Sequence, residues 1–298
     1  HSRLTGDVIG GNIQQAFWFI LTGHVSAAHC FWNVRLLPAH DYAVAVGKEY
    51  RPWNSMYDPG AQKSDVAEIF VPPRYRGSST NFQDDIALLK LVSEVTFTSY
   101  VQPICLDFNT DEDMLLGRVG KVAGWGLTGE DERPSPVLKG VEMPYVPIIQ
   151  CIEESPLIFW PHITSDKICA GFKNGTAVCR GDSGGGLVFA LNDDYRFYLQ
   201  GIVSAAPTND HKCNVYTYGV FTFVSEHKDF IYNLCLLHIY PNIKLLLQYQ
   251  IEEISLLCHA GKVGSDRASI NLSFTCGYVA SCVPYPLLDR EETNSVTI

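Results

Sequence analysis

The sequence predicts an all-β fold, a β-sandwich or a β-barrel, over about its first 234 residues. Two observations support this prediction. Short apolar runs of four to eight residues alternate with Gly, Pro, Asn and Asp, as in strands joined by turns. No long helical period of apolar residues occurs before Val224, so helices layered on a sheet are not expected.

Six runs are predicted to be strands because each combines apolar residues with neighbouring turn residues. In chain order they are Tyr42–Val46, Ile86–Leu91, Arg118–Ala123, Gly186–Phe189, Tyr198–Val203 and Tyr218–Phe223. The segment Val224–Leu237 then places its apolar residues along one helical face, which predicts a closing helix. Residues 236–298 are Leu/Ile-rich and then polar, and we predict a poorly ordered C-terminal extension of unknown role.

The composition argues against several functional classes. The 298 residues include 22 Lys and Arg against 32 Asp and Glu, so the net charge is −10. Nucleic-acid binders need a basic surface, so no nucleic-acid partner is expected. No window reaches about 18 uninterrupted apolar residues, so no membrane partner is expected. No His, Cys and Asp residues show metal-ligand spacing, so no metal and no cofactor are expected.

The ten cysteines indicate the cellular compartment. They are widely spaced and form no CxxC pair, which argues against a zinc ribbon or a thioredoxin motif. An even number of widely spaced cysteines is typical of disulfide-bonded proteins in oxidising compartments. We therefore expect an extracellular, secreted protein; the alternative that the cysteines leave open is a cytosolic enzyme with scattered buried thiols.

Three short stretches contain residues with catalytic potential. They are Ser26–Cys30, Asp84–Leu89 and Cys179–Gly186. A serine hydroxyl needs a base to accept its proton, and the base needs a carboxylate that fixes its tautomer. His29, Asp85 and Ser183 can fill these roles, in the chain order His, Asp, Ser. We predict that they form a catalytic triad.

The glycines around Ser183 have a chemical reason of their own. Acyl transfer passes through a tetrahedral intermediate whose negative oxygen must be reached by N–H groups. A glycine-rich turn lets the N–H groups of Gly181 and Ser183 point to one place without a Cβ in the way. We predict that these two groups form the oxyanion hole.

With these motifs, the sequence resembles the trypsin/chymotrypsin-like serine proteases from about Val8 to Leu234. Further matching blocks are Val8–Gly11, Gln102–Cys105, Gly124–Gly126 and Gly201–Ser204. Within that family it is most similar to the arthropod modular serine proteases of immune cascades. The similarity lies in Gly184–Gly186, where most relatives end on proline, and in Ser204–Asn209 leading to Cys213.

The resemblance implies two packed six-stranded antiparallel β-barrels with a C-terminal helix. His29 and Asp85 would belong to the first barrel and Ser183 to the second. The implied disulfides join Cys151 to Cys169 and Cys179 to Cys213.

The resemblance also implies partners. A cascade protease acts on a protein substrate, here expected to be a downstream protease zymogen. In modular relatives the cysteine corresponding to Cys105 tethers an upstream segment, so recognition modules are expected before His1.

Activation is implied by the same likeness. Proteolysis would free the amino group of Val8, which would turn inward and pair with the carboxylate of Asp182. This pair would order the loop that carries Gly181 and Ser183. Asp7 precedes the expected cut, which does not suggest a trypsin-like activator.

The resemblance assigns four residues to substrate binding. Ala177 stands six residues before the nucleophile, at the base of the primary pocket, and Gly219 and Ala206 line its walls beside Ser204. A cation buried there would lack a partner, which is costly. We predict cleavage after apolar or medium-sized residues such as Leu, Phe or His.

One interval departs from the family pattern. Only 21 residues separate Val8 from His29, about half the usual distance, so the first barrel is expected to be truncated. The predicted organisation is therefore an activation-peptide remnant over residues 1–7, a protease domain over 8–235 and the extension over 236–298.

Two alternatives to an active protease of this family remain. A catalytically impaired homologue acting as a binding module is compatible with the short first barrel. An α/β-hydrolase fits the GxSxG spacing of Gly181–Gly185, with His211 or His227 as the later histidine. That fold needs strands alternating with long helices, which the pattern does not show.

Overall fold

The computed structural model describes residues 23–128, 133–191, 196–209 and 212–239, and these residues are mostly β-structure. We call residues 23–118 the first half and residues 119–228 the second half. The first half contains β1 (Gly23–Ser26), β2 (Trp32–Asn33), β3 (Arg35–Leu36), β4 (Ala43–Val46), β5 (Gln62–Phe70) and β6 (Ala87–Leu91). The second half contains β7 (Val119–Gly124), β8 (Leu127–Thr128), β9 (Arg133–Pro134), β10 (Lys139–Val146), β11 (Lys167–Ala170), β12 (Gly186–Ala190), β13 (Phe197–Ala205), β14 (Thr208–Asn209), β15 (Lys212–Cys213) and β16 (Gly219–Phe223).

The first half forms an open four-stranded antiparallel sheet in the order β1-β6-β5-β4. Ser26 at the end of β1 lies opposite Ala87 at the start of β6. This register brings the segment after β1 next to the segment before β6, which is where two of the predicted catalytic residues lie. Apolar side chains of the sheet, among them Val44, Val66 and Leu89, form its buried core.

The second half forms a closed antiparallel barrel in the order β10-β11-β16-β13-β12-β7. Its core is filled by apolar side chains from all six strands, among them Val122, Met143, Ile168, Leu187 and Phe221. A closed six-stranded barrel beside a half-barrel sheet is the chymotrypsin-like arrangement, so the predicted fold class is confirmed, with the first barrel only half formed by the described residues.

Helices are few among the described residues. The two α-helices are α1 (Ile148–Glu154) and α2 (Lys228–Ile239). Short 3-10 turns occur at Ala28–Phe31, Ala39–Asp41, Gly77–Thr80, Glu112–Leu115, Leu157–His162 and Val224–His227. The predicted closing helix therefore begins with a 3-10 turn. None of the helices described is both long and apolar enough to cross a membrane.

The chain divides into two compact units, with the change of unit between Lys228 and Asp229. The four-stranded sheet and the closed barrel belong to the first unit, and the described part of the second is the helix from Asp229 onward. Residues 1–7, Val8 and the extension beyond Ile239 lie outside the described residues. The domain boundaries proposed from the sequence therefore stay predictions.

Candidate functional site

His29 and Asp85 meet where two neighbouring strands end. His29 lies in the 3-10 turn that follows β1, and Asp85 lies two residues before the start of β6. The Nδ1 atom of His29 lies 2.7 Å from Oδ2 of Asp85, and the backbone N–H of His29 donates to Oδ1 at 2.8 Å. A neutral His29 that donates from Nδ1 keeps its Nε2 lone pair for proton transfer.

The charge state of His29 is set by opposing effects. Burial by itself lowers the pKa of His29 because it disfavours the imidazolium. The charge of Asp85 and its hydrogen bond, with a smaller effect of Cys30, more than offset burial. The pKa of His29 is therefore raised well above its ordinary value, and Asp85 stabilises the imidazolium that forms when His29 accepts a proton.

Asp85 is fully buried and receives hydrogen bonds from both halves. In addition to the two contacts with His29, its Oδ2 atom accepts a hydrogen bond from the Ser204 hydroxyl at 2.6 Å. Its backbone carbonyl accepts one from the Thr222 hydroxyl at 2.9 Å. Because every carboxylate contact is directional, the orientation of this group toward His29 is fixed.

The loop with Ser183 lies against the segment that precedes His29. Gly181 and Gly184 have φ values of 95° and 78°, which favour glycine. A Cβ atom on Gly184 would lie 2.3 Å from Oγ of Ser26 and 3.2 Å from N of Ala27. Only glycine permits this close approach, which places the half-buried Ser183 beside the histidine segment.

The carboxylate of Asp182 faces the backbone of Gly126 and Cys179. Its carboxylate accepts hydrogen bonds from the backbone N–H groups of Gly126 at 2.8 Å and Cys179 at 3.0 Å. Burial raises the pKa of Asp182, and these two hydrogen bonds oppose the rise only in part. Val8, its expected partner, lies outside the described residues.

Two disulfides lie within the second half. The structure links Cys151 to Cys169 and Cys179 to Cys213, the pairs that the resemblance implied. The first joins α1 to β11, and the second joins the segment before Ser183 to β15. The second therefore restrains the loop that carries Ser183.

The four predicted pocket residues lie on adjacent segments. Gly219 is buried, and a Cβ atom on it would lie 3.1 Å from Cγ2 of Val178, the neighbour of Ala177. Val220, the next residue on β16, lies opposite Ala205 of β13. Ala205 is the residue between Ser204 and Ala206 in the sequence. The three segments therefore come together, with a half-buried alanine at position 177.

The sequence analysis missed a buried acidic cluster next to Asp85. Ligand atoms of Asp84, Asp166 and His227 all lie within 4.8 Å of one another. No spacing signal could reveal them because they are far apart in the chain. Nζ of Lys167 already lies 2.7 Å from Oδ2 of Asp166, and His227 lies between the two carboxylates. Nε of Arg74 lies 3.4 Å from Oδ2 of Asp84, so both carboxylates of the cluster already have a protein cation beside them.

Comparisons with known proteins agree with this geometry. The family model described as Trypsin matches residues 18–231. The chain is 36% identical over 230 residues to "Clotting factor C" of Tachypleus tridentatus, covering 72% of this chain and 21% of that protein. It is 29% identical to "Mannan-binding lectin serine protease 1" of Rattus norvegicus, covering 77% of this chain and 32% of that protein.

A mosquito protein gives a third match. The chain is 33% identical to "CLIP domain-containing serine protease B15" of Anopheles gambiae, covering 70% of this chain and 57% of that protein. The chain spans less than two thirds of the length of each of these relatives. The resemblance seen in the sequence is confirmed, and the chain belongs to the trypsin family of serine endopeptidases.

Proposed function

We propose that this serine endopeptidase is secreted and acts at an initiating step of an extracellular, innate immune proteolytic cascade. The observation that carries the catalytic part is the His29–Asp85 pair, with its 2.7 Å contact, beside the loop that bears Ser183. We further propose that these three residues form the catalytic triad.

Peptide cleavage then follows from their positions. Nε2 of His29 takes the proton of the Ser183 hydroxyl while Oγ of Ser183 forms a bond to the substrate carbonyl carbon. The N–H groups of Gly181 and Ser183 stabilise the negative oxygen of the tetrahedral intermediate. The C–N bond breaks as His29 returns the proton to the leaving amine. Water, activated in the same way, then hydrolyses the acyl-enzyme and restores Ser183.

The proposed primary specificity is non-basic. Ala177 would form the base of the pocket, with Ser204, Ala206 and Gly219 around it, and its methyl group offers no charge to a substrate cation. A buried cation without a partner is strongly disfavoured. Substrates with Leu, Phe or His before the cleaved bond are therefore expected to react faster than those with Arg or Lys.

The proposed activation step joins Val8 to Asp182. Among the described residues, the half-buried Asp182 carboxylate receives two backbone N–H groups, and a nearby ammonium group would stabilise its charge further. Cleavage after Asp7 would supply that group and order the adjacent Gly181–Ser183 loop. Amino-terminal sequencing of the active form is expected to begin at Val8, and any other first residue would refute this step.

The proposed partners come from the relatives. They are a clotting factor and a mannan-binding lectin serine protease, which supports a downstream protease zymogen as the protein substrate. Because this chain matches only part of each relative, upstream recognition modules are proposed as further partners. The two disulfides support secretion.

A peptide library tests the proposal. The chain beginning at Val8 is incubated with a library that varies the residue before the cleaved bond, and Ser183→Ala serves as the inactive control. Cleavage after apolar or medium-sized residues supports the proposal, whereas a strong Arg preference contradicts the proposed pocket. A folded chain that cleaves no peptide would instead favour a binding module.

A further inference from the structure

The backbone that leads into Asp85 has an unfavourable conformation. Asn81, Phe82 and Asp84 have φ values of 51°, 60° and 59°, although none of them is glycine. Side-chain-bearing residues rarely adopt this left-handed region, and several in succession persist only when surrounding groups hold them. Something must therefore fix the segment from Phe82 to Asp85.

The second half supplies the groups that hold this segment. Nζ of Lys167 donates to the carbonyl of Phe82 at 2.9 Å, and Oδ2 of Asp166 accepts from the N–H of Asp84 at 2.9 Å. These residues lie at the start of β11, where Lys167 is opposite Thr222, the donor to the Asp85 carbonyl. Three hydrogen bonds thus join the second half to the backbone of Phe82, Asp84 and Asp85.

Lys167 and Asp166 also hold each other. Their side chains are 2.7 Å apart and almost inaccessible to solvent, and the Thr164 hydroxyl donates to the other Asp166 oxygen at 2.5 Å. Burial alone would raise the pKa of Asp166, but His227, Lys167 and Thr164 hold it well below the ordinary value. The carboxylate therefore stays charged and remains an acceptor for the Asp84 N–H.

We propose that Lys167 and Asp166 are positioning residues for catalysis, which hold the Phe82–Asp85 backbone so that the Asp85 carboxylate is aimed at His29. The inference rests on the proposed triad. Neither residue contacts a reacting atom. A displacement of Asp85 would weaken its contact with His29 in the transition state, when the imidazolium forms, more than it would weaken substrate binding.

The chain contains a matched pair without such a role. Lys48 and Asp58 also form a buried ion pair at 2.7 Å. Asp58 accepts from the backbone N–H groups of Glu49 and Tyr50, which carry no proposed catalytic group. Breaking this pair leaves a buried charge unpaired, as breaking the other pair does, but leaves the backbone before Asp85 untouched.

The test compares Lys167→Met with Lys48→Met in the chain beginning at Val8. Lys167→Met is expected to lower kcat about 10- to 100-fold with little change in KM, because a shift of about 1 Å is costly in a triad. Lys48→Met is expected to leave kcat within about twofold, since distant sites act independently. Equal kcat values for wild type and Lys167→Met would overturn the proposal.

A double variant separates positioning from simple stability. Asp166→Asn combined with Lys167→Met removes both buried charges, so thermal stability is expected to recover relative to Lys167→Met alone. The donor to the Phe82 carbonyl is still missing, so kcat is expected to stay low. Recovery of kcat together with stability would show that the pair is only structural.

A spectroscopic readout does not depend on turnover. The proton shared by Nδ1 of His29 and Asp85 is expected to give a far-downfield proton NMR signal at low pH, and Asp85→Asn identifies it by its loss. Lys167→Met is expected to shift or broaden this signal, and Lys48→Met is expected to leave it unchanged. An unchanged signal in Lys167→Met would contradict the proposal. An inactive wild type with the signal present would count against the proposed function alone.

Discussion

The two halves of the molecule reach their order in different ways. The second half closes six strands into a barrel and restrains its loops with two disulfides. The first half has an open sheet of four strands among the described residues, and the proposed catalytic carboxylate, Asp85, follows a segment with three positive φ values. Hydrogen bonds from Ser204, Thr222 and Lys167 of the second half hold that segment and Asp85.

The difference shows that the acid and base are not positioned by their own half alone. His29 and Asp85 come together through the β1–β6 register, but the orientation of Asp85 depends on groups from the closed barrel. The second half therefore supplies both Ser183, the proposed nucleophile, and hydrogen bonds that support Asp85. Substitutions of the second-half residues that contact Asp85 or its backbone should therefore reduce activity more than comparable substitutions in the first half away from Asp85.

The largest effect is expected for Ser183→Ala, which removes the nucleophile supplied by the second half. Loss of a serine nucleophile lowers kcat about 10⁶-fold, and the remaining activity comes from binding and the oxyanion hole. Peptide hydrolysis measures the change, and Ser225→Ala is the matched control on a serine outside the site. A residual rate above about 1% of wild type would exclude Ser183 as the nucleophile.

The next largest effect is expected for Asp85→Asn, which keeps the shape of the group and removes its charge. Neutralising the carboxylate of such a triad lowers kcat about 10⁴-fold, because the wrong tautomer of His29 is favoured. Single-turnover kinetics measures the loss. Asp65→Asn, an exposed carboxylate on β5, is the control and should behave as wild type.

The pH profile gives a related prediction. His29 must be neutral to act as a base, and its pKa is raised by Asp85, so kcat/KM should rise at a higher pH than an isolated histidine would give. In Asp85→Asn the burial that lowers the pKa remains while the charge that raises it is gone. The acidic limb should therefore move to lower pH, and a move in the opposite direction would contradict the assignment.

Gly184→Ala tests the contact between the halves. The new Cβ would lie 2.3 Å from Oγ of Ser26 at a φ of 78°, so we expect a loss of about 2–4 kcal/mol in unfolding free energy. Gly175→Ala has a similar φ of 98° but nothing within 4 Å, so only the backbone cost of about 1–2 kcal/mol remains. Urea denaturation measures both, and equal losses would mean that the halves are not closely packed at Gly184.

The smallest effect concerns specificity. Ala177→Asp would add a carboxylate at the proposed base of the pocket, and a charge-assisted hydrogen bond of about 1.5–3 kcal/mol corresponds to roughly a 10- to 100-fold change. The ratio of kcat/KM for Arg over Leu peptides is expected to rise by that amount. Thr176→Asp, one residue away, is the control. An equal rise in this variant would mean that position 177 is not specifically at the base of the pocket.

Much of the fold followed from local pattern. The strands at Ile86–Leu91 and Tyr218–Phe223 were predicted within about a residue or two of β6 and β16 because their apolar residues are continuous. The long strands β5 and β10 were missed because polar residues alternate through them, as the half-exposed pattern of Gln62–Phe70 shows. Where a residue on the buried face is itself polar, as Ser64 is on β5, the alternation of apolar and polar residues that marks a strand is interrupted.

The candidate site also has a part that the sequence predicts and a part that it does not. The three short motifs identified His29, Asp85 and Ser183 because reactive residue types stand in recognisable surroundings. Thr222, Asp166 and Lys167 were not found, since each acts through one hydrogen bond to a distant part of the backbone. Such contacts depend on tertiary packing and leave no local signature.

The most direct test of the account is the location of a covalent serine adduct. The chain beginning at Val8 is treated with a fluorophosphonate probe, digested and analysed by mass spectrometry, with wild type compared against His29→Ala. The account predicts a single adduct on Ser183 that forms in wild type and is lost when His29 is removed. A folded wild-type chain without an adduct on Ser183, or an adduct that forms equally fast in His29→Ala, would contradict it.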